Sequence, residues 1–347
     1  MRECHKPLHA ARRIKIRQPV MYRHMKTSCL GLLATALIAG AGLFPESASA
    51  DAKWSCSTVR ILVPYAAGGG SDTVARVIAS KLNDDLHETV IVDNRPGGKS
   101  VIAYQALLRE RPDGCTLLLD NSSHSIQAVY KDLPYDPQKD FRPISLVATG
   151  PTLLAVSPAF PAANLKAFIE VARKTRVTYG SYGVGTQSHL DGETLSVDAN
   201  IPLTHAPYRG SAPALNDLMG GQIQALFVDG LSARSLIKSG RVRAIAAVGQ
   251  ARWKAFPDLP TFGELGYQDL SSPGWWGIFA SAKTPPDVVS QIAQALKRIT
   301  AQPDTQQKML GIGAEAYSNS PDAFSAEIGV EVSRWRTIVA KRHIVLE

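Results

Sequence analysis

The stretch VRILVPYAAGGGSDTVARVIASKL, Val59–Leu82, carries an apolar run into three consecutive glycines and then into a helical pattern. VRILVP reads as a buried strand, and Val74, Ile78 and Leu82 recur at i, i+4 and i+8, one face of a helix with Ser71 or Asp72 as its N-cap. The same order of strand, turn and helix follows at once: TVIVDN (Thr89–Asn94), RPGGKS, VIAYQALLRE closed by RPDG, and a third strand in TLLLD. It returns after Thr149 as RVTYG, SYGVGTQ and a helix near Ser188–Val197, then as LTHAPY, RGSAP and ALNDLM, then as IQALFVD, GLSARSLIKSG and VRAIAAVG. Strands alternating with helices at this spacing predict parallel βαβ units and an α/β fold. Beyond Pro286 the pattern is mostly helical.

The chain has 347 residues, and its first fifty stand apart. Lys26, an apolar run from about Leu30 to Phe44, and SASA before Asp51 match a secretory signal peptide cleaved after Ala50, which predicts a periplasmic protein beginning at Asp51. Of the net charge of +8, six belong to residues 1–50, which hold eight Lys/Arg against two Asp/Glu. The remainder is close to neutral and has no basic stripe interleaved with aromatics, which argues against nucleic acid as a partner. The residues after the leader exceed what one compact core serves, so two lobes are expected: 51–149 with 273–347 as the first, and 150–272 as the second.

Cys56 and Cys115 survive cleavage in a chain bound for an oxidising compartment. Each directly precedes or lies close ahead of a strand, so adjacent parallel strands would put both at one sheet end. A disulfide or two buried thiols both fit that placement.

In open parallel sheets ligands bind beyond the strand carboxyl ends, where loops enter helix N-termini. YAAGGGSD lies at such a place; Gly68, Gly69 and Gly70 leave backbone N–H groups accessible, and the helix behind them favours an anion. SYGVGTQS (Ser181–Ser188), with Gly183, Gly185, Thr186 and Ser188, is built alike, and YRGSAP (Tyr208–Pro213) is a third. Taken singly each loop also reads as a tight turn with an ordinary cap; three in both halves favour anion binding. Enzyme motifs fail: GGKS (Gly97–Ser100) has Asp93 where a phosphate loop needs glycine, and neither Gly68-x-Gly70 nor Gly183-x-Gly185 has the third glycine of a dinucleotide fingerprint. No metal spacing joins His87, His124, His189, His205 and His343, and no triad emerges. Asp72 reads as a helix cap, and Asp229 as either a ligand acceptor or the anchor of the loop before Gly230. No cofactor is expected.

With these segments in this order, together with VIVDNRPGG, RPDGCTLLL, LPYDPQKDFRPISLVA, FPDLPTFGELGY and GWWGIFASAKTPPDVVSQI, the chain resembles the Bug (TctC-type) substrate-binding proteins of tripartite tricarboxylate transporters over nearly all of its length after the leader. The resemblance implies a periplasmic-binding-protein fold of the second type, two α/β lobes closing by hinge motion on a small organic acid. It implies ligand contacts from Tyr65, Ala67, Gly68, Gly69, Ser71, Asp72, Ser122 and Ser123 in one lobe, and from Gly183, Gly185, Thr186, Ser188, Tyr208 and Asp229 in the other. It implies membrane permease subunits as partners of a monomeric, non-enzymatic receptor; a sensor feeding a two-component system, or a periplasmic enzyme on the same fold, are the alternatives. The chain departs from the family pattern at GGKS and at SSHS, and Lys99 or His124, if either reaches the cleft, would add recognition of a second carboxylate.

Overall fold

The structure, a computed structural model, describes residues 54–344. The leader and the cleavage point after Ala50 lie outside the described residues. The chain opens with β1 (Thr58–Val63), α1 (Gly70–Leu86), β2 (Thr89–Asn94), α2 (Val101–Arg109), β3 (Thr116–Asn121), α3 (Ser123–Gln127) and β4 (Phe141–Gly150). It continues through β5 (Thr152–Val156), α4 (Leu165–Ala172), β6 (Val177–Ser181), α5 (Gln187–Asp198), β7 (Leu203–Pro207), α6 (Ser211–Met219), β8 (Ala225–Asp229), α7 (Gly230–Lys238) and β9 (Arg243–Val248). It ends with β10 (Gly274–Ser281), α8 (Pro286–Ala301), α9 (Pro303–Ile312), β11 (Glu315–Ala316) and α10 (Pro321–Arg342).

Two sheets result, one in the order β11-β4-β10-β3-β1-β2 and the other β7-β6-β8-β5-β9. Alternation of side chains along each strand feeds two cores per sheet. In the first, Ile61 and Val63 of β1 with Leu117 and Leu119 of β3 face Val74, Ile78 and Leu82 of α1 and Ile292, Leu296 and Ile299 of α8. Leu62 and Leu118 point the other way, onto Tyr104 and Leu107 of α2 and Phe324, Ile328 and Val332 of α10. In the second, Leu154, Tyr179 and Phe227 pack on Phe168 and Leu195, while Leu153, Leu226 and Val228 pack on Leu215 and Leu218. Each such side chain, buried on folding, contributes roughly 1.5–3 kcal/mol.

The parallel pairing expected of βαβ units is found for β1 with β2 and β3, and for β6 with β7 and β8. It fails for three strands: β10 runs antiparallel to β3 and β4, the two-residue β11 antiparallel to β4, and β5 antiparallel to β8 and β9. The reason lies in how the chain passes between the sheets. β4 leads directly through Pro151 into β5, whose first residue, Thr152, pairs with Asp229 at the carboxyl end of β8. β10 likewise enters with Trp276 opposite Asn121, at the carboxyl end of β3. A strand that enters a sheet from the edge where its neighbours finish must run against them.

Cys56 and Cys115 form a disulfide with their Cα atoms 5.6 Å apart, close ahead of β1 and β3 and at the opposite sheet end from the glycine loops.

Candidate functional site

The carboxyl ends of both sheets face one seam, and the loops that leave them touch across it. Ala66 N–H donates to the Arg209 carbonyl at 2.9 Å, joining the loop after β1 to the loop after β7. Gly210 has φ +142°, and a Cβ there would lie 3.0 Å from the Ala66 nitrogen, so this crossing requires glycine. Farther along the seam, Gln187 N–H at the start of α5 donates to Ser123 Oγ at 3.1 Å, and Ser122 Oγ donates to Gln187 Oε1. Tyr65 and Tyr182 meet edge to face with ring centroids 5.8 Å apart. The amino ends of α1, α5, α6 and α7 thus converge here, each directing partial positive charge toward the seam.

Within this frame several residues expected to touch ligand have protein partners. The N-cap of α1 is Gly69, in extended backbone, and not Ser71 or Asp72 as the sequence suggested. Asp72, one turn in, reaches back to accept from Gly68 N–H at 2.9 Å and pairs with Arg76. Burial alone would raise its pKa; Arg76 and the Gly68 N–H outweigh that and hold the carboxyl below its ordinary range. Asp72 therefore shapes the glycine loop. Ser71 Oγ accepts from Trp276 Nε1 at 3.0 Å. Asp229 caps α7 through Ser232 N–H at 2.8 Å and accepts from Ser211 Oγ at 2.5 Å, the contacts of a loop anchor. Ala67 and Gly68 are exposed. In the second glycine loop, Thr186 Oγ1 donates to the Gly183 carbonyl at 2.6 Å and Ser188 Oγ accepts from Tyr182 N–H at 3.1 Å, while Gly185 sits beside Tyr130.

Next to these contacts lies a cavity of about 230 Å³. Tyr65, Tyr182, Gly183, Thr186 and Tyr208 line it, and Lys99 and Arg209 line it as well. Tyr208 is held by its hydroxyl, which donates to Asp217 at 2.6 Å. The turn Gly97–Ser100, which fails as a phosphate loop and departs from the family pattern, forms one wall. Its signal was present in the residues: Gly-Gly followed by Lys directly after a strand.

The histidines have structural places. His124 is buried in the first lobe, stacked on Phe279 at 4.1 Å and hydrogen-bonded to the Tyr104 hydroxyl at 2.7 Å, so it does not reach the cleft. Burial drives its pKa down to about 3. His189 and His205 stack at 4.0 Å beneath the second glycine loop. His189 Nδ1 accepts from Gly185 N–H at 3.3 Å, and His205 Nε2 shares a hydrogen bond with Ser181 Oγ at 2.7 Å.

Two α/β lobes meeting through strand carboxyl ends and helix amino ends define the periplasmic-binding-protein fold. The chain belongs to the TctC family, the tripartite tricarboxylate transporter family receptors, whose family model matches residues 74–344. It is 30% identical over 315 residues to the protein BugT of Bordetella pertussis, an alignment covering 88% of this chain and 97% of BugT. Among solved structures, R. palustris Rpa4515 with adipate superposes with a TM-score of 0.81 at 28% identity, covering 84% of this chain and 99% of that one. MatC from Rhodopseudomonas palustris with bound malate gives 0.77 at 28%, covering 81% and 98%.

Proposed function

We propose that this chain is a periplasmic receptor that captures a small organic carboxylate between its lobes and delivers it to the membrane permease subunits of a tripartite tricarboxylate-type transporter. The observation that carries this is the convergence of four helix amino ends, from both lobes, on one seam beside a cavity whose lining contains no carboxylate side chain. Residues 51–149 with 273–347 act as one lobe and 150–272 as the other, hinged at the two interlobe connections. Tyr65, Gly183, Thr186 and Tyr208 contact the ligand, while Gly69, Ser71, Ser122, Ser123, Gly185, Ser188, Asp72 and Asp229 hold or complete the loops around it. The adipate and malate of the two solved relatives are small carboxylates of the kind this site suits. The protein acts by binding and release, without turnover, and as a monomer.

The test is a thermal-shift panel of aliphatic, aromatic and amino-acid carboxylates, each paired with its amide. A ligand at about 100 times its dissociation constant stabilises by about 2.7 kcal/mol. A shift with acids and none with amides is expected; equal shifts with both, or product formation from any bound acid, would overturn the proposal.

A further inference from the structure

The cavity described above has an asymmetry of charge that carbonyl and N–H loops alone would not give it. Its lining includes two cations, Lys99 and Arg209, and no Asp or Glu. Both side chains are exposed, and neither makes an ion pair among the described residues. They approach from different lobes: Lys99 from the turn between β2 and α2, Arg209 from the loop between β7 and α6. Lys99 Nζ lies 5.4 Å from the centre of the Tyr130 ring, and Tyr130 in turn abuts Gly185 of the opposite lobe. The Lys99 charge is felt by His189 beneath that loop, where it adds to burial in depressing the imidazole. Lys99 therefore lines the cavity where the two lobes adjoin.

The backbone that presents it is unusual. Gly97, Gly98, Lys99 and Ser100 have φ of +104°, +59°, +55° and +71°, so two residues with side chains are held in the left-handed region directly after two glycines. Strain of this kind, kept at a cavity wall, points toward use of the side chain it presents.

We propose that Lys99, with Arg209 of the other lobe lining the same cavity, recognises a second anionic group on the ligand, so that the receptor selects molecules bearing an anion at each end. This rests on carboxylate capture between the lobes. One end of the ligand takes the backbone donors of the glycine loops and the other takes the two cations. Because the cations belong to different lobes, the second anion also neutralises both at once as the lobes come together, and length selectivity follows from the distance between the two ends.

Titration calorimetry with straight-chain mono- and dicarboxylates matched in length, at low salt and neutral pH, tests it. The protein is expected to bind the best diacid about tenfold or more tighter than the matching monoacid, with the preference shrinking as salt is added. Lys99→Gln is expected to reduce that ratio to about threefold or less, Arg209→Gln to reduce it partly, and Lys99→Arg to retain it. A ratio is read within one protein, so a variant that merely loses stability lowers both affinities and leaves it unchanged. Monoacids binding as tightly as diacids, or a ratio untouched by Lys99→Gln, would overturn the role of Lys99 while leaving carboxylate capture intact. Binding of neither acid would overturn both.

Discussion

Gly70, the first residue of α1, lies so close to Asp229, the N-cap of α7, that a Cβ on Gly70 would sit 2.6 Å from Asp229 Cγ. The two residues come from different lobes, so the absence of a side chain at position 70 sets how near the lobes can approach. Gly70→Ala is suited to test this, because alanine in a helix is favoured over glycine by about 1 kcal/mol and the local backbone gains from the change. A closed state made about tenfold rarer weakens apparent ligand affinity by the same factor. The expected result is that loss in calorimetry, with a larger ligand-saturated radius of gyration in solution scattering.

Asp229 itself supports three groups, Ser211 Oγ, Ser232 N–H and Ser232 Oγ. Asp229→Ala removes an N-cap, worth about 1 kcal/mol, and strips a buried hydroxyl of its acceptor, worth about another. At roughly 2–4 °C per kcal/mol for a chain of this size, the melting temperature should fall by about 4–8 °C. Asn, which also caps helices, should restore a large part, as differential scanning calorimetry would show.

The Cys56–Cys115 bridge closes a loop with a sequence separation of 59 residues. In the chain-entropy model that constraint stabilises by about 4 kcal/mol. Reduction, or Cys56→Ser with Cys115→Ser, should lower the denaturant midpoint accordingly. Ligand affinity should change by less than about twofold, because the bridge lies at the sheet end away from the seam.

Burial holds His189 near a pKa of about 4 and His205 near about 3, each against an ordinary value of 6.5, since the charged imidazolium is desolvated there. Lys99 adds to the depression at His189, and His189 adds to it at His205. An unfolded chain therefore takes up protons that the folded one refuses. The stability these groups contribute is complete above pH 6.5 and is lost as pH falls toward about 4 for His189 and about 3 for His205. Asp120 opposes them: burial raises its carboxyl to about 6, so its contribution is present below 3.8 and lost as pH rises through 6. Histidine ring NMR titration should find both imidazoles neutral at pH 5.5, and His205→Gln should lose less stability than the parent between pH 6.5 and 4.

Much of this architecture was written in local pattern. The i, i+4, i+8 spacing of Val74, Ile78 and Leu82 and the alternation around Ile61, Leu62 and Val63 encode which face of each element is buried, and burial follows them. The direction of β5 and β10 was not legible, because an all-buried strand reads alike in either direction and only the path between sheets decides it. For the site, the glycine loops announced where the lobes meet. What the sequence hid was the division of labour within them. Asp72 and Ser71 read in one dimension as N-caps or ligand contacts, yet Gly68, Arg76 and Trp276 claim them in three. Lys99 was noticed as an odd residue, but only the turn geometry puts it beside Tyr130 and the cavity.

The interleaving of β10 between β3 and β4 has a consequence for biogenesis. The five strands of the second sheet occupy one unbroken stretch, from Thr152 to Val248, whereas the first sheet stays divided until Gly274–Ser281 arrives. A chain emerging amino end first can therefore assemble its middle segment while its first segment still waits for a central strand. The β3 and β4 edges left open in that interval are what a chaperone would have to shield.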